Sequence, residues 1–224
     1  MARRVDPSFD LEDELWAQGC ETIVGIDEVG KGAWAGPLVI GAVVVPRGDL
    51  IAGVRDSKAM TPRARDDAYD RIIEWCLDWS IGEASATECD ELGMAAAQKL
   101  ACRRAITALS VMPDVAISDG TWDFVSPLVP RVEMRVKADR DCGSVAAASV
   151  VAKVSRDRQM VAWSQSYPYW SFEGNKGYPC PAHIRALHGH GPSAIHRRSW
   201  AFMDNHVHWS GSRRVVRGQM PTLF

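Results

Sequence analysis

The stretch "VGIDEVGKGAWAGPLVIGAVVVP", Val24 to Pro46, decides the fold. Two runs rich in Val and Ile, "TIVGIDEVG" and "PLVIGAVVVP", flank a glycine-rich bend, and such runs bounded by Gly and Pro read as strands. The bend first suggests a phosphate-cradling loop, because Gly25 is followed after four residues by Gly30 and Lys31. A loop of that kind uses a Ser or Thr after the lysine to reach a metal, and Gly32 stands there instead. Asp27 and Glu28 would also oppose a nucleotide's phosphates. The nucleotide-hydrolase reading fails, and the two carboxylates need another explanation.

Outward from this stretch, "TPRARDDAYDRIIEWCLDW" reads as a helix with Thr61 as N-cap and Pro62 at its first position. Ala68, Ile72, Ile73 and Cys76 form its apolar stripe. "SIGEASA" is a short strand, and "TECDELGMAAAQKLACRRAITALS" a longer helix that Gly93 weakens without ending. "DVAISDG" is a strand running into Asp119, and "RVEMRVKAD" another reaching Asp139. "GSVAAASVVAKVSRDRQMVAWSQ" is a helix whose first half is nearly all small residues, a surface that can lie close to a sheet. A short helix near "PAHIRALHGHG" and a polar tail follow. Strands first, then strands alternating with helices, give one mixed α/β domain.

At 224 residues, with 46% hydrophobic and 24% charged residues, the composition is that of a soluble globular protein. No run approaches the roughly 18 apolar residues of a membrane helix, and the start of the chain lacks a secretory apolar core, so the expected place is the cytoplasm. Six scattered cysteines without a CxxC pair fit reduced thiols and neither a zinc cage nor a disulfide framework. The net charge of -2 hides an asymmetry. From Asn175 onward there are seven Lys/Arg against one acid (+6), leaving 19 basic and 27 acidic groups (-8) before it. Such a body suits cations in one place and phosphates in another. The histidine pairs His188 and His190, and His206 and His208, are weak as metal ligands without a third partner.

Four acids lie where an apolar strand gives out: Asp27, Glu28, Asp119 and Asp139. Strand ends of an open sheet gather in space, and acids brought together repel unless a cation sits among them. Mg²⁺ and Mn²⁺ prefer oxygen ligands, and two of them about 4 Å apart can clamp a phosphodiester and activate water. Neighbours on a regular strand face opposite ways. Asp27 and Glu28 can therefore both face one metal only if the chain leaves strand geometry, which Gly30 and Gly32 would permit.

The segments "GIDEVGKGAWAGPLVIGAVV", "RDSKAM", "ISDG", "KADRDCGSVAAASVVAKVSRDR" and "NKGYPCPAHIRALHGHGPSAIHRRSW" together make the chain resemble bacterial ribonuclease HII, the type 2 ribonuclease H. The resemblance implies a ribonuclease H-like fold over residues 21–208, with a helical substrate-binding part at about 166–208. Residues 1–20 would be an N-terminal extension and 209–224 a basic tail. It implies hydrolysis of the RNA strand of RNA–DNA hybrids and nicking of duplex DNA 5′ of embedded ribonucleotides. The catalytic, metal-holding acids would be Asp27, Glu28, Asp119 and Asp139, with Asp141 a nearby decoy for the fourth. Mg²⁺ or Mn²⁺ would be the cofactor. The Gly30-Lys31-Gly32 turn would meet the ribonucleotide's 2′-hydroxyl through its main chain, a lysine standing where the family has arginine. Tyr178 would pack on the following deoxyribose, Ser57 and Lys58 would touch phosphates, and Asp56 would hold their loop. Lys153, Arg156, Arg197 and Arg198 could be phosphate contacts or solvated charges, and His196 could organise the basic segment.

The final "QMPTLF", residues 219–224, resembles a peptide that binds the bacterial sliding clamp. A monomer is expected. A non-catalytic hybrid-binding protein would lack one of the four acids, and none is missing. Another nuclease of the same fold, such as a resolvase or transposase core, has no use for the glycine turn paired with Tyr178.

Overall fold

The computed structural model describes residues 6–208. Its strands are β1 (Ile23–Val29), β2 (Leu38–Val45), β3 (Asp78–Ala84), β4 (Val115–Asp119) and β5 (Arg131–Arg135). They form one sheet in the order β3-β2-β1-β4-β5, with β1 antiparallel to β2, parallel to β4, and β4 parallel to β5. The helices in chain order are α1 (Asp10–Ala17), α2 (Pro62–Trp75), α3 (Ala86–Leu92), α4 (Met94–Ala108) and α5 (Ala138–Asp141). They continue with α6 (Gly143–Ser164), α7 (Phe172–Asn175), α8 (Pro181–His190) and α9 (Phe202–His206). Among the described residues no helix is long and apolar enough to cross a membrane, and all six cysteines are free thiols.

Contacts divide the chain into two compact units. Of the described residues, the first holds 6–29, 39–83 and 99–155; the second holds 30–38, 84–98 and 156–208. The first unit's core joins sheet residues such as Ile23, Val43, Val115 and Ile117 to Ala68, Tyr69 and Ile72 of α2 and Val145 to Val154 of α6. Phe9 and Leu15, beside and on α1, are buried in the same core. α1 also sends Glu12 to accept the Ser144 N–H at 2.8 Å, satisfying a donor at the start of α6 that has no helical partner. The second unit's core gathers Ala35, Met160, Trp170, Phe172, Leu187, Phe202 and Met203.

The small residues of α6 do what their size suggests. A Cβ at Gly25 of β1 would lie 2.1 Å from the Ser144 carbonyl carbon, and one at Gly41 of β2 would lie 2.6 Å from the Ala148 oxygen. Helix backbone rests directly on strand backbone.

Three local readings need correction. Thr61 does cap α2, accepting the Ala64 N–H, but α2 ends at Trp75 because Asp78–Ala84 pairs into the sheet, and Tyr69 joins its buried stripe. Gly93 does end a helix: its φ of +75° closes α3, and α4 begins afresh at Met94. Glycine adopts this left-handed geometry without steric cost, and the chain turns there rather than paying for glycine inside a helix. Asp139 does not terminate a strand. β5 stops at Arg135, and Asp139 sits on the single turn α5, entered through Lys137 at φ +65°.

Gly25→Ala should cost on the order of 1–3 kcal/mol through forced separation of α6 from β1. The measurement is a lowered urea midpoint at unchanged slope. Gly174→Ala, with nothing within 4 Å of the added methyl, should leave the midpoint in place.

Candidate active site

The four acids all belong to the first unit. β1 brings up Asp27 and Glu28, β4 ends on Asp119, and α5 carries Asp139. The β1–β2 ladder keeps unbroken register, Asp27 opposite Gly41 and Glu28 opposite Ile40, through Val29 opposite Val39. The chain therefore does not leave strand geometry before Gly30, and Asp27 and Glu28 depart from opposite faces. The escape through the glycines is not used.

Asp27 is the deep acid, 6% exposed. Desolvation, then the charge of Glu28, push its pKa up from the usual 3.8 to about 8, with Asp139 adding to the rise. Ser149 of α6 hydrogen-bonds to it and Lys58 attracts it, both opposing the shift. Asp139 is also buried; its carboxyl is pushed up by desolvation, then by Asp56, and further by Asp119. Asp119 accepts the Ala138 N–H at 2.9 Å, tying the end of β4 to the turn that carries Asp139. Asp141 is exposed. The charges of Glu28, Asp27, Asp139 and Asp119 are thus coupled in series.

Lys58 is a cation beside this series, with Nζ 3.4 Å from Asp139. Asp27, Asp139 and Asp56 hold its ammonium charged, raising its pKa against the lowering effect of desolvation, which is the largest single contribution. Asp56 caps the turn Ser57–Ala59 by accepting the Lys58 N–H, so it does hold the loop.

Ser57 needs correction as a phosphate contact. It is 3% exposed, and its Oγ lies 2.9 Å from Ser149 Oγ. With Ser149 donating to Asp27, Ser57 donates to Ser149, and the pair steadies the buried carboxylate from beneath. Sequence reading missed Ser149 in this role; its place in the small-residue face of α6, packed on β1, was the available signal.

The donor set is all carboxylate oxygen, the chemistry that Mg²⁺ and Mn²⁺ prefer. Desolvation and the neighbouring carboxylates make ionising Asp27 costly, and a divalent cation among them would offset that cost. Among the described residues, however, no three His, Cys, Asp or Glu side chains stand close enough to form a ready-made cage. The residues fit the ion by chemistry and charge.

The glycine turn and Tyr178 lie in the second unit. Gly30 has φ +88°, and its N–H donates to Tyr178 Oη at 3.1 Å. Lys31 and Gly32 are exposed. Arg156 and Arg197 are neither phosphate contacts nor solvated charges: both are fully buried and bonded to carbonyls of this turn and its continuation. The sequence around either arginine carries no local signal of this burial.

The histidines divide in two. Ser193 N–H donates to His196 Nδ1 at 2.8 Å, the His196 and His183 Nε2 atoms meet at 2.8 Å, and His183 Nδ1 reaches the Tyr178 carbonyl at 2.9 Å. A carbonyl only accepts, so His183 carries its proton on Nδ1, His196 on Nε2, and both rings are neutral. Burial pushes both pKa values down. His188, His206 and His208 approach ring to ring at 5.1–5.6 Å, and His190 stacks on Tyr169.

A family model described as Ribonuclease HII matches residues 24–203. The chain is 42% identical over 214 residues to the ribonuclease HII of Streptomyces griseus, covering 93% of this chain and 90% of that protein. The ribonuclease H2 of Pyrococcus horikoshii superposes with a TM-score of 0.72 at 28% identity, over 83% of this chain and 96% of that one. The ribonuclease HII of Archaeoglobus fulgidus, solved as a complex with PCNA, gives 0.68 at 25% identity, over 80% and 95%. The mixed sheet flanked by helices is thereby the ribonuclease H-like fold.

The burial of Asp27 has a stability consequence. A carboxylate whose folded pKa is about 8 destabilises the fold progressively as pH rises from about 4 to about 8. Asp27→Asn removes that penalty. In chelator its melting temperature should exceed that of the unsubstituted protein by a margin that widens over this range, at roughly 2–4 °C per kcal/mol. Added Mg²⁺ or Mn²⁺ should narrow the margin.

Proposed function

The chain belongs to the ribonuclease HII family and is a ribonuclease H, and on that premise we propose that it hydrolyses the RNA strand of RNA–DNA hybrids and nicks duplex DNA 5′ of embedded ribonucleotides. The observation that carries the reading is the serial coupling of Glu28, Asp27, Asp139 and Asp119 in one unit, with desolvation holding Asp27 far from ordinary carboxylate behaviour.

Asp27, Glu28, Asp119 and Asp139 would hold the divalent cations. When bound there, paired Mg²⁺ or Mn²⁺ ions supply Lewis acidity to the scissile phosphate and lower the pKa of an attacking water. The chain's own groups do the remaining work. The Ser57–Ser149 pair orients Asp27 from below. Lys58, with its ammonium among the acids, is placed to shift toward a phosphate oxygen once their charge is neutralised. The products are a 3′-hydroxyl and a 5′-phosphate.

Discrimination falls to the second unit. With its Gly30 and Lys31 carbonyls held by Arg197, the turn keeps a fixed main chain, against which the 2′-hydroxyl that distinguishes RNA from DNA is proposed to lie. The Tyr178 ring is proposed to pack on the next deoxyribose, where an added hydroxyl would not fit. We place this work in the cytoplasm, in ribonucleotide removal and primer processing, and take the chain to act as a monomer.

With Mg²⁺ or Mn²⁺ and a duplex bearing one ribonucleotide, a single nick should form immediately 5′ of it. Asp27→Asn should lose cleavage while keeping the wild-type circular dichroism spectrum. Binding without any cut by the unsubstituted protein would instead favour the hybrid-binding reading.

Residues 219–224, which lie outside the described residues, are proposed to bind a DNA sliding clamp; the Archaeoglobus relative solved with PCNA supports the idea. Deleting those six residues should abolish retention on immobilised clamp at unchanged nicking rate, and unchanged retention ends this part of the proposal.

A further inference from the structure

Arg156 near the end of α6 and Arg197 beyond α8 have no exposed surface. Burying a guanidinium costs several kcal/mol unless its donors are met, and apolar side chains of similar volume are often the more stable choice. The forks here are spent on main chain. Arg156 donates from Nε to Pro37 O at 2.9 Å, from Nη1 to Lys176 O at 2.8 Å and from Nη2 to Ala35 O at 3.0 Å. Arg197 donates from Nη1 to Lys31 O at 3.0 Å, and from Nη2 to Gly30 O at 2.7 Å and Gly36 O at 3.2 Å. Together they take five carbonyls between residues 30 and 37.

Arg156 also reaches the tyrosine. The Arg156 guanidinium lies 5.3 Å from the Tyr178 ring centre, a cation–π distance, and the Tyr178 hydroxyl accepts the Gly30 N–H. The fit leaves no slack: a Cβ at Gly30 would sit 2.4 Å from Arg156 Nε and 2.6 Å from Pro37 O. The cost of the arrangement is visible on Arg197, whose pKa desolvation lowers to about 10, with the Arg156 charge adding to the fall. Packing alone does not call for two mutually repelling cations under one loop. Fixing the direction of five carbonyls does, because a planar fork sets both distance and angle where an ammonium sets only distance.

We propose that Arg156 and Arg197 are positioning residues: Arg197 locks the Gly30 and Lys31 carbonyls of the turn, Arg156 holds its continuation at Ala35 and Pro37 and fixes the ring of Tyr178. They thereby set how strongly a ribonucleotide is preferred over a deoxyribonucleotide. This rests on the reading of the turn given under Proposed function, and extends it from the groups that touch substrate to the two that hold them in place.

The test uses the full chain in the Asp27→Asn background, so that binding is read without cleavage. Dissociation constants are measured in Mg²⁺ for a duplex with one ribonucleotide and for the identical all-DNA duplex. The background should prefer the ribonucleotide. Arg197→Lys and Arg156→Lys, each keeping the charge and losing the fork, should cut that preference about tenfold or more, the size of one lost charge-assisted hydrogen bond. Affinity for the all-DNA duplex should stay within about twofold, whereas general loosening of the fold moves both affinities or neither. Circular dichroism checks folding, and either variant that folds carries the test. A background with no preference overturns the reading of the turn and this inference with it. A preference that both variants retain overturns the inference alone. Failure of both variants to fold assigns the pair to stability and overturns it as well.

Discussion

The contact on which the rest depends is the near-touching of two backbones, α6 upon β1 and β2. Gly25 and Gly41 leave no room for a side chain between strand and helix, and Val145 to Ala148 supply a face thin enough to meet them. Close approach is what allows the short hydroxyl of Ser149 to reach Asp27, which a thicker interface would leave alone in an apolar layer. Near its start the same helix gives the Ser144 N–H to Glu12. A run of sequence that reads as featureless, ten small or β-branched residues in succession from Gly143 to Ala152, is therefore what backs Asp27 in the first unit.

Charge is handled in opposite ways by the two units. The first buries two acids, Asp27 and Asp139, whose pKa values stay raised although Ser149 and Lys58 oppose the shift on the one and Lys58 on the other. That deficit suits a centre meant to accept cations. The second buries cations and satisfies their donors almost entirely with carbonyls, leaving Arg197 Nε as an orphan. That near-completeness suits a rigid template. One arrangement keeps electrostatic strain for a ligand to relieve, and the other uses hydrogen bonds to remove conformational freedom.

Legibility in the sequence followed the range of the interaction. Thr61 and Pro62 announced α2 because capping involves neighbours three residues apart. The Val- and Ile-rich runs announced β1, β2 and β4 because burial on both faces selects such residues. Gly93 misled because its cost inside a helix was weighed and its freedom to take φ +75° was not. Asp139 misled because "RVEMRVKAD" alternates like a strand throughout, yet only Arg131–Arg135 finds a partner in β4; the rest curls into α5. Asp27, Glu28 and Asp119 could be placed on strands from the apolar runs that carry them. Ser57, Arg156 and Arg197 were misjudged because their partners lie 92, 121 and 167 residues away along the chain. Nothing local distinguishes an arginine that will be buried against carbonyls from one that will meet a phosphate.

The departure at Lys31 can be weighed on the same grounds. An arginine at this position would add a planar fork to the turn, and a lysine cannot replace that geometry. The shape of the turn, however, is already determined beneath it. The Lys31 carbonyl is held by Arg197 Nη1, the Gly30 carbonyl by Arg197 Nη2, and the Gly30 N–H by Tyr178. Residue 31 is exposed, and none of these bonds involves its side chain. Substitution there changes what the turn offers to solvent and leaves its main chain as it was. A reader of the 2′-hydroxyl built from main-chain groups is accordingly insensitive to whether its middle residue is arginine or lysine, as long as the two buried arginines remain.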